Sequence, residues 1–330
     1  MLLAACVAAA CGKSPVIAQD SEAPAPPAMS AGEPMDAAAP GDSPSTETPA
    51  VTPAIRADAA VMDAAATDAA STDGQAASPE QDAGSKIAAA CPSEMAEVRR
   101  FCIDRFEAYL VSRSPQGTEV VLPHYERPEK RERYEARSAA NVFPQAYISR
   151  IEAAAACKNA GKRLCTRAEW MRACRGSKGY VFPYGYRAQA GRCNHGKVHL
   201  LPQFFGENAR AWKYDEHFNS PLLDQEPGYL AKTGAYAGCT GETGIFDMVG
   251  NLHEWVSDTV GEDIEEKLAL DKTQRRKQPF EVGNGIFMGG FFSTTTELGS
   301  GCKFTTIAHE PRYHDYSTGF RCCKPAKRPP

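Results

Sequence analysis

Gly244-Ile-Phe-Asp-Met-Val-Gly-Asn-Leu-His-Glu-Trp-Val-Ser-Asp258 is the stretch whose reading decides the fold. Asp247, Asn251, Glu254 and Asp258 bring oxygens and amides to it. Ile245, Phe246, Met248, Val249, Trp255 and Val256 bring core, and Gly244 and Gly250 allow sharp turns. A segment of this kind can pack inward and hold a hard cation at the same time. A buried turn with hydrogen-bonded polar groups is the simpler alternative. Residue types alone leave both open.

Working outward, the 330 residues suffice for one large domain or two ordinary ones. Charge is uneven. Residues 12–90 hold 12 acidic and 3 basic side chains, and 91–330 hold 29 acidic and 34 basic. A net of +5 spread over the second part, with no basic stripe on a helix, argues against nucleic acid as a partner. Ten of the twelve cysteines fall between Cys91 and Cys323. An even, high count points to five disulfides and an oxidising compartment. No Cys-x-x-Cys pair has a matching second pair, so zinc is the weaker reading.

Met1–Ala10 is small and apolar and ends before Cys11. It resembles the end of a bacterial lipoprotein signal peptide, with Cys11 as the expected lipidated residue. Leu3-Ala4-Ala5-Cys6 fits the lipobox better locally, but too few residues precede it for an apolar region. No basic segment precedes either cysteine, so the start is expected upstream. An ordinary export signal is the alternative. No run of 18 apolar residues exists to span a membrane. Residues 12–90 carry no Phe, Tyr or Trp, and Asp-Ala-Ala recurs at Asp58, Asp63 and Asp68. With no apolar face to bury, the stretch reads as a disordered tether, extended by its own charge. The predicted organisation is a signal segment at 1–11, a linker at 12–90 and a folded domain at 91–330.

Within the domain, Glu97–Leu110 reads as strand rather than helix. Pro123–Arg137 reads as a solvated surface segment. Ser149-x-x-Glu152 and Thr166-x-x-Glu169 are capping boxes that predict two helices, each carrying a buried cysteine, Cys157 and Cys174. Residues 196–240 read as loop, Gly261–Gln278 as a charged insertion and Gly283–Phe292 as a core strand.

Taken in order, Gly161-Lys-Arg-Leu-x-Thr-x-x-Glu169-Trp170, Arg175-Gly176, Phe182-Pro-Tyr-Gly185, Gly250-Asn251-x-x-Glu254-Trp255, Gly289-Gly290 and Gly319-Phe320-Arg321 resemble the formylglycine-generating enzyme, or sulfatase-modifying factor, family. Each motif is weak, but six in register over residues 91–325 are specific. The resemblance implies an α+β domain of the C-type-lectin-like class, with short strands, two main helices and much irregular loop.

The resemblance also implies ligands. Calcium would be held by Asp247, the carbonyls of Gly250 and Leu252, and Glu254. A second calcium would use Asn194 and the carbonyl of His195, with Asp224 as a candidate acidic partner. Calcium takes six to eight oxygens, which suits such a set. The resemblance pairs Cys157 with Cys322 and Cys174 with Cys302. Cys91–Cys102, Cys193–Cys239 and Cys165–Cys323 follow only by remainder, since sequence does not fix connectivity.

The family's enzymes use two cysteines a few residues after the Gly-Gly to bind copper(I) and activate oxygen, and thiolates suit that ion. Here Gly290 is followed by Phe-Phe-Ser-Thr-Thr-Thr-Glu-Leu-Gly-Ser-Gly before Cys302. Phe or Ser and Glu297 stand where the thiols belong, so copper is not expected. The alternative keeps Cys302 as a reactive thiol with Cys174 free. Iron or zinc on histidine is a further alternative. His309 and His314 flank Glu310, with Asp315 following, and His195 and His199 lie four apart. Each lies in sequence that reads as loop, where a solvated histidine is the usual case. His253 reads as packed within the central stretch.

Two functions emerge as expectations. One is a lipid-anchored, calcium-stabilised binding or scaffold module of the bacterial cell envelope, with a protein or glycan ligand. The other is an oxidoreductase of the formylglycine-generating type, or an iron-dependent relative, with a rearranged site.

Overall fold

Strands in this protein are short, and what holds them is best seen from the helices outward. The structure is a computed structural model and describes residues 90–268, 280–295 and 299–327. The signal-like segment with Cys6 and Cys11, nearly all of the tether, Glu297 and much of the charged insertion lie outside the described residues.

Helix α1 (Arg150–Asn159) and helix α2 (Arg167–Arg175) start at the two capping boxes. Ser149 accepts from the Glu152 N–H and Thr166 from the Glu169 N–H, and each glutamate reaches back to its cap. This satisfies N–H groups that a helix start otherwise leaves unpaired. Helix α1 buries Ala153, Ala156 and Cys157, and α2 buries Trp170, Ala173 and Cys174. Those spacings put one stripe of each helix on the core.

The strands are β1 (Met95–Val98), β2 (Phe101–Asp104), β3 (Ala108–Arg113), β4 (Glu119–Val121), β5 (Glu135–Ser138), β6 (Arg163–Leu164), β7 (His253–Thr259), β8 (Gly285–Met288), β9 (Thr305–His309), β10 (Thr318–Phe320) and β11 (Cys322–Pro325). They form three sheets, ordered β1-β2-β11-β6, β10-β7-β8-β9 and β4-β3-β5. Strand β11 lies between β2 and β6, so the last strand is paired with one of the first. Strand β10 runs parallel to β7, which sets Gly319 opposite Glu254.

Glu97–Leu110 is extended rather than helical, as expected, but as parts of β1, β2 and β3 broken at 99–100 and 105–107. The core strand expected over Gly283–Phe292 is confined to β8. Residues 196–240 depart from the loop reading. They contain α3 (Leu200–Phe205), which buries Leu200 and Leu201 and ends at Gly206, together with isolated turns of helix. Its six residues are too few to show helical periodicity. A short α4 (Ile264–Leu268) begins inside the charged insertion. Pro123–Arg137 is largely exposed but ends in β5.

The domain is α+β. Five disulfides join Cys91–Cys102, Cys157–Cys322, Cys165–Cys323, Cys174–Cys302 and Cys193–Cys239, the same pairs set out above. Three of these bridges close loops of more than 120 residues, which constrains the unfolded chain strongly. Among the described residues no helix is long and apolar enough to cross a membrane.

Candidate functional site

The Gly244–Asp258 stretch enters β7 through a strained turn. Gly244, Asp247, Gly250 and Asn251 all have positive φ, at 66°, 58°, 81° and 60°. Asp and Asn tolerate this region better than other residues with a side chain. Gly250 has no alternative, because a Cβ there would lie 2.1 Å from the carbonyl oxygen of Asn194. The turn folds the backbone back on itself and delivers Asp247, Asn251 and Glu254 to one buried place.

Glu254 is fully buried and faces Arg321, which is also fully buried. Arg321 donates from Nε to Oε2 at 2.6 Å and from Nη2 to Oε1 at 2.7 Å. Trp170 Nε1 donates to the same Oε2 at 2.7 Å. Arg321 also donates to the carbonyls of Asp104 and Phe246. A paired, bidentate guanidinium of this kind is the arrangement in which a buried carboxylate is tolerated.

Two further carboxylates lie in the same cluster. Glu107 accepts from Leu252 N–H at 3.0 Å and from Asn251 Nδ2 at 2.6 Å. Asp247 accepts from Gly234 N–H at 2.7 Å. Burial, followed by the charges of Asp247 and Glu254, raises the Glu107 carboxyl well above the usual range. Burial also pushes Asp247 up to about 6, against the pull of the Gly234 N–H and Arg321. Three carboxylates thus share Arg321 as their guanidinium. The excess negative charge is relieved either by protons or by a bound cation.

Asp247 and the carbonyls of Gly250 and Leu252 are the hard oxygen donors that calcium prefers. Glu254, expected beside them, is instead directed at Arg321 and Trp170. Its Oε2 accepts two hydrogen bonds, and a guanidinium touches both oxygens. Glu107 is the carboxylate of the cluster that the sequence reading missed. Among the described residues no three His, Cys, Asp or Glu side chains are grouped closely enough to hold one metal.

At the second expected position Asn194 and Asp224 are both buried. Asn194 donates from Nδ2 to Tyr229 O and to Asn251 Oδ1, both at 2.8 Å, and its Oδ1 has no hydrogen-bond partner. Neither carboxylate oxygen of Asp224 has a hydrogen-bond donor. Burial, and then Asp315, raises its carboxyl well above the usual range. Its charge in turn adds to the burial that raises Tyr147 and Tyr316.

The segment after Gly290 forms an aromatic wall. Phe291 packs edge-on against Phe292 at 5.1 Å and Tyr316 at 5.7 Å, and also lies 5.0 Å from His253. Phe292 meets Tyr229 at 5.6 Å. Phe291, Phe292, Ser293 and Thr294 are all buried. Cys174 and Cys302 are bonded to each other, so the reading of Cys302 as a free thiol does not hold.

The histidines do not converge. His309 lies in β9 rather than in a loop and stacks on Tyr313 at 3.8 Å. His314 bonds Asn219, and His199 approaches the Tyr316 hydroxyl. His253 is packed as expected, and burial pushes its pKa down to about 3.

Residues 71–326 match the model of the sulfatase-modifying factor enzyme 1-like domain. The chain belongs to that family. The match begins twenty residues ahead of Cys91, inside the stretch read as tether. Among relatives of the sulfatase-modifying factor domain, the chain is similar to the inactive C-alpha-formylglycine-generating enzyme 2 of Bos taurus. They are 27% identical over 194 residues, which is 57% of this chain and 52% of the relative. It is also similar to the formylglycine-generating enzyme of Mus musculus, at 30% identity over 127 residues, 37% of this chain and 30% of the relative. The chain therefore spans about half or less of the length of these relatives. Among solved structures, CarF aligns with 69% of this chain and 87% of its own at 15% identity and a TM-score of 0.38.

Proposed function

We propose that this chain is an exported binding or scaffold module of the sulfatase-modifying factor family that does not oxidise cysteine. The commitment of all ten domain cysteines to disulfides carries this reading. Thiol-based copper chemistry needs two free thiolates, and the domain has none to supply. The wall of Phe291 and Phe292 supports it, since bulky apolar side chains occupy the segment where the family's thiols stand. So does the likeness to a relative whose own name calls it inactive.

In this reading the signal-like segment exports the chain, Cys11 anchors it through lipid, and the acidic linker holds the domain away from the bacterial envelope membrane. Calcium is structural. Asp247 with the carbonyls of Gly250 and Leu252 would hold it and offset part of the buried negative charge around Glu107. The ligand is a protein or a glycan.

The test uses the unreduced full chain. Alkylation mapped by mass spectrometry should label none of the ten domain cysteines. Oxygen uptake with a cysteine-containing sulfatase peptide should stay at background. A labelled Cys174 or Cys302, stoichiometric copper, or peptide-dependent oxygen uptake would each defeat the proposal.

A further inference from the structure

We infer that the ammonium of Lys197 is a built-in cation that takes the place of a second calcium at the Asn194–Tyr229 turn. Lys197 Nζ donates to Tyr229 O at 2.8 Å and to Gly228 O. It also stands 5.8 Å from the ring centres of Tyr229 and Tyr236, where a cation is attracted to an aromatic face. The side chain is half-buried, so its charge is only partly screened by water.

The orientation of Asn194 supports the same assignment. An amide can be placed either way round, and its hydrogen bonds decide which way is correct. Asn251 Oδ1 is an acceptor here, because it takes the Ala231 N–H at 3.0 Å while Asn251 Nδ2 donates to Glu107 and Ala231 O. Tyr229 O is an acceptor in any case. Asn194 therefore presents its NH2 group to both. Its oxygen, the atom a calcium would need, is therefore turned away from the Tyr229 carbonyl that Lys197 holds. Tyr229 O already receives an ammonium and an amide N–H. A divalent ion bound at Tyr229 O would face the Lys197 ammonium and the Asn194 NH2 group at close range, and both repel it.

The consequence is that the turn is closed by the chain's own charge and needs no dissolved metal. Gly250 and Asn251 touch Asn194, so calcium at Asp247 would also protect this turn, and the test is made in an Asp247→Asn background. Hydrogen exchange of the full chain would be followed at the amides of residues 194–197 and 228–231, in calcium and in chelator. The Asp247→Asn protein should protect them equally in both. Lys197→Met should raise exchange there about tenfold, the size expected for losing charged hydrogen bonds in a half-exposed position. Lys197→Arg, which keeps the cation, should restore most of the protection. Lys197→Asp should be loose in chelator and tightened by calcium. Calcium-dependent protection of this turn in the Asp247→Asn protein would overturn the inference. So would unchanged exchange in Lys197→Met, or an arginine variant as loose as the methionine one.

Discussion

Replacing Arg321 with methionine removes the guanidinium while keeping most of the buried volume. The change strips Glu254 of the donors at 2.6 and 2.7 Å and leaves it with Trp170 Nε1 at 2.7 Å. The carbonyls of Asp104 and Phe246 also lose their donors. Glu254 then sits without a counter-charge beside two carboxyls that are already hard to ionise. Breaking a buried pair in this way costs about 3–5 kcal/mol. Neutralising the stranded partner in the same chain, Glu254→Gln with Arg321→Met, should return roughly 2 kcal/mol of that loss, since the penalty for an unpaired buried charge disappears. Urea unfolding with intact disulfides measures both, provided the slope is unchanged between variants. Additive losses in the double variant, or a single Arg321→Met within about 1 kcal/mol of wild type, would refute the ion pair as the core of the network. The calcium dependence separates the competing role of Glu254. If Glu254 served mainly as a calcium ligand, Glu254→Gln would abolish stabilisation by calcium while Arg321→Met left it intact.

Asp247 makes stability in chelator fall as pH rises. Its folded pKa of about 6 lies above the reference 3.8, so the contribution is fully present below 3.8 and lost through 6; at about 1.4 kcal/mol per tenfold change in proton affinity this is about 3 kcal/mol, and Asp247→Asn should flatten that limb of a stability–pH curve. Removing the Cys174–Cys302 bridge with two serines opens a loop of 128 residues and should lower stability by about 4–5 kcal/mol in urea unfolding. Gly250→Ala should abolish the native fold, read as loss of near-ultraviolet dichroism, because its Cβ would meet Asn194 O at 2.1 Å and its φ is 81°.

Much of the fold is legible because its signals are local. The capping boxes at Ser149 and Thr166 satisfy N–H groups three residues away, so each can be read from four consecutive letters. The α3 helix escaped because Leu200–Phe205 is shorter than two turns. The candidate site is legible only in part. Asp247, Asn251 and Glu254 stand out within one stretch, but what they touch does not. Glu254 meets Arg321 and Trp170, and Asn251 meets Glu107, 144 residues earlier. Glu254 looks like a ligand in sequence, because a carboxylate's partner is a property of the fold. One signal for Glu107 was present: a glutamate between Phe106 and Ala108-Tyr-Leu, in strand sequence, is a charge about to be buried. Lys197 offered none, since a lysine in Gly-Lys-Val-His reads as solvated.

Arg321, Cys322 and Cys323 fasten the end of the chain without using the segment after Gly290. Arg321 reaches Glu254 in β7, Cys322 is bonded to Cys157 in α1, and Cys323 is bonded to Cys165 just after β6. Cys322 N–H also donates to Asp104, which is paired with Lys162. Three consecutive residues thus tie the end of the chain to four separate elements, and none of these ties passes through the segment after Gly290. That segment is held differently, by Phe291 N–H on Thr294 Oγ1, by Ser293 on Val198 O and by ring contacts with Tyr316 and Tyr229. The buried rings of Phe291 and Phe292 add apolar area removed from water, which favours folding. The wall meets the charge network at Asn251, whose carbonyl accepts the Phe292 N–H at 3.1 Å and whose amide donates to Glu107, so a change in the wall should be felt first at Asn251 and not at the end of the chain.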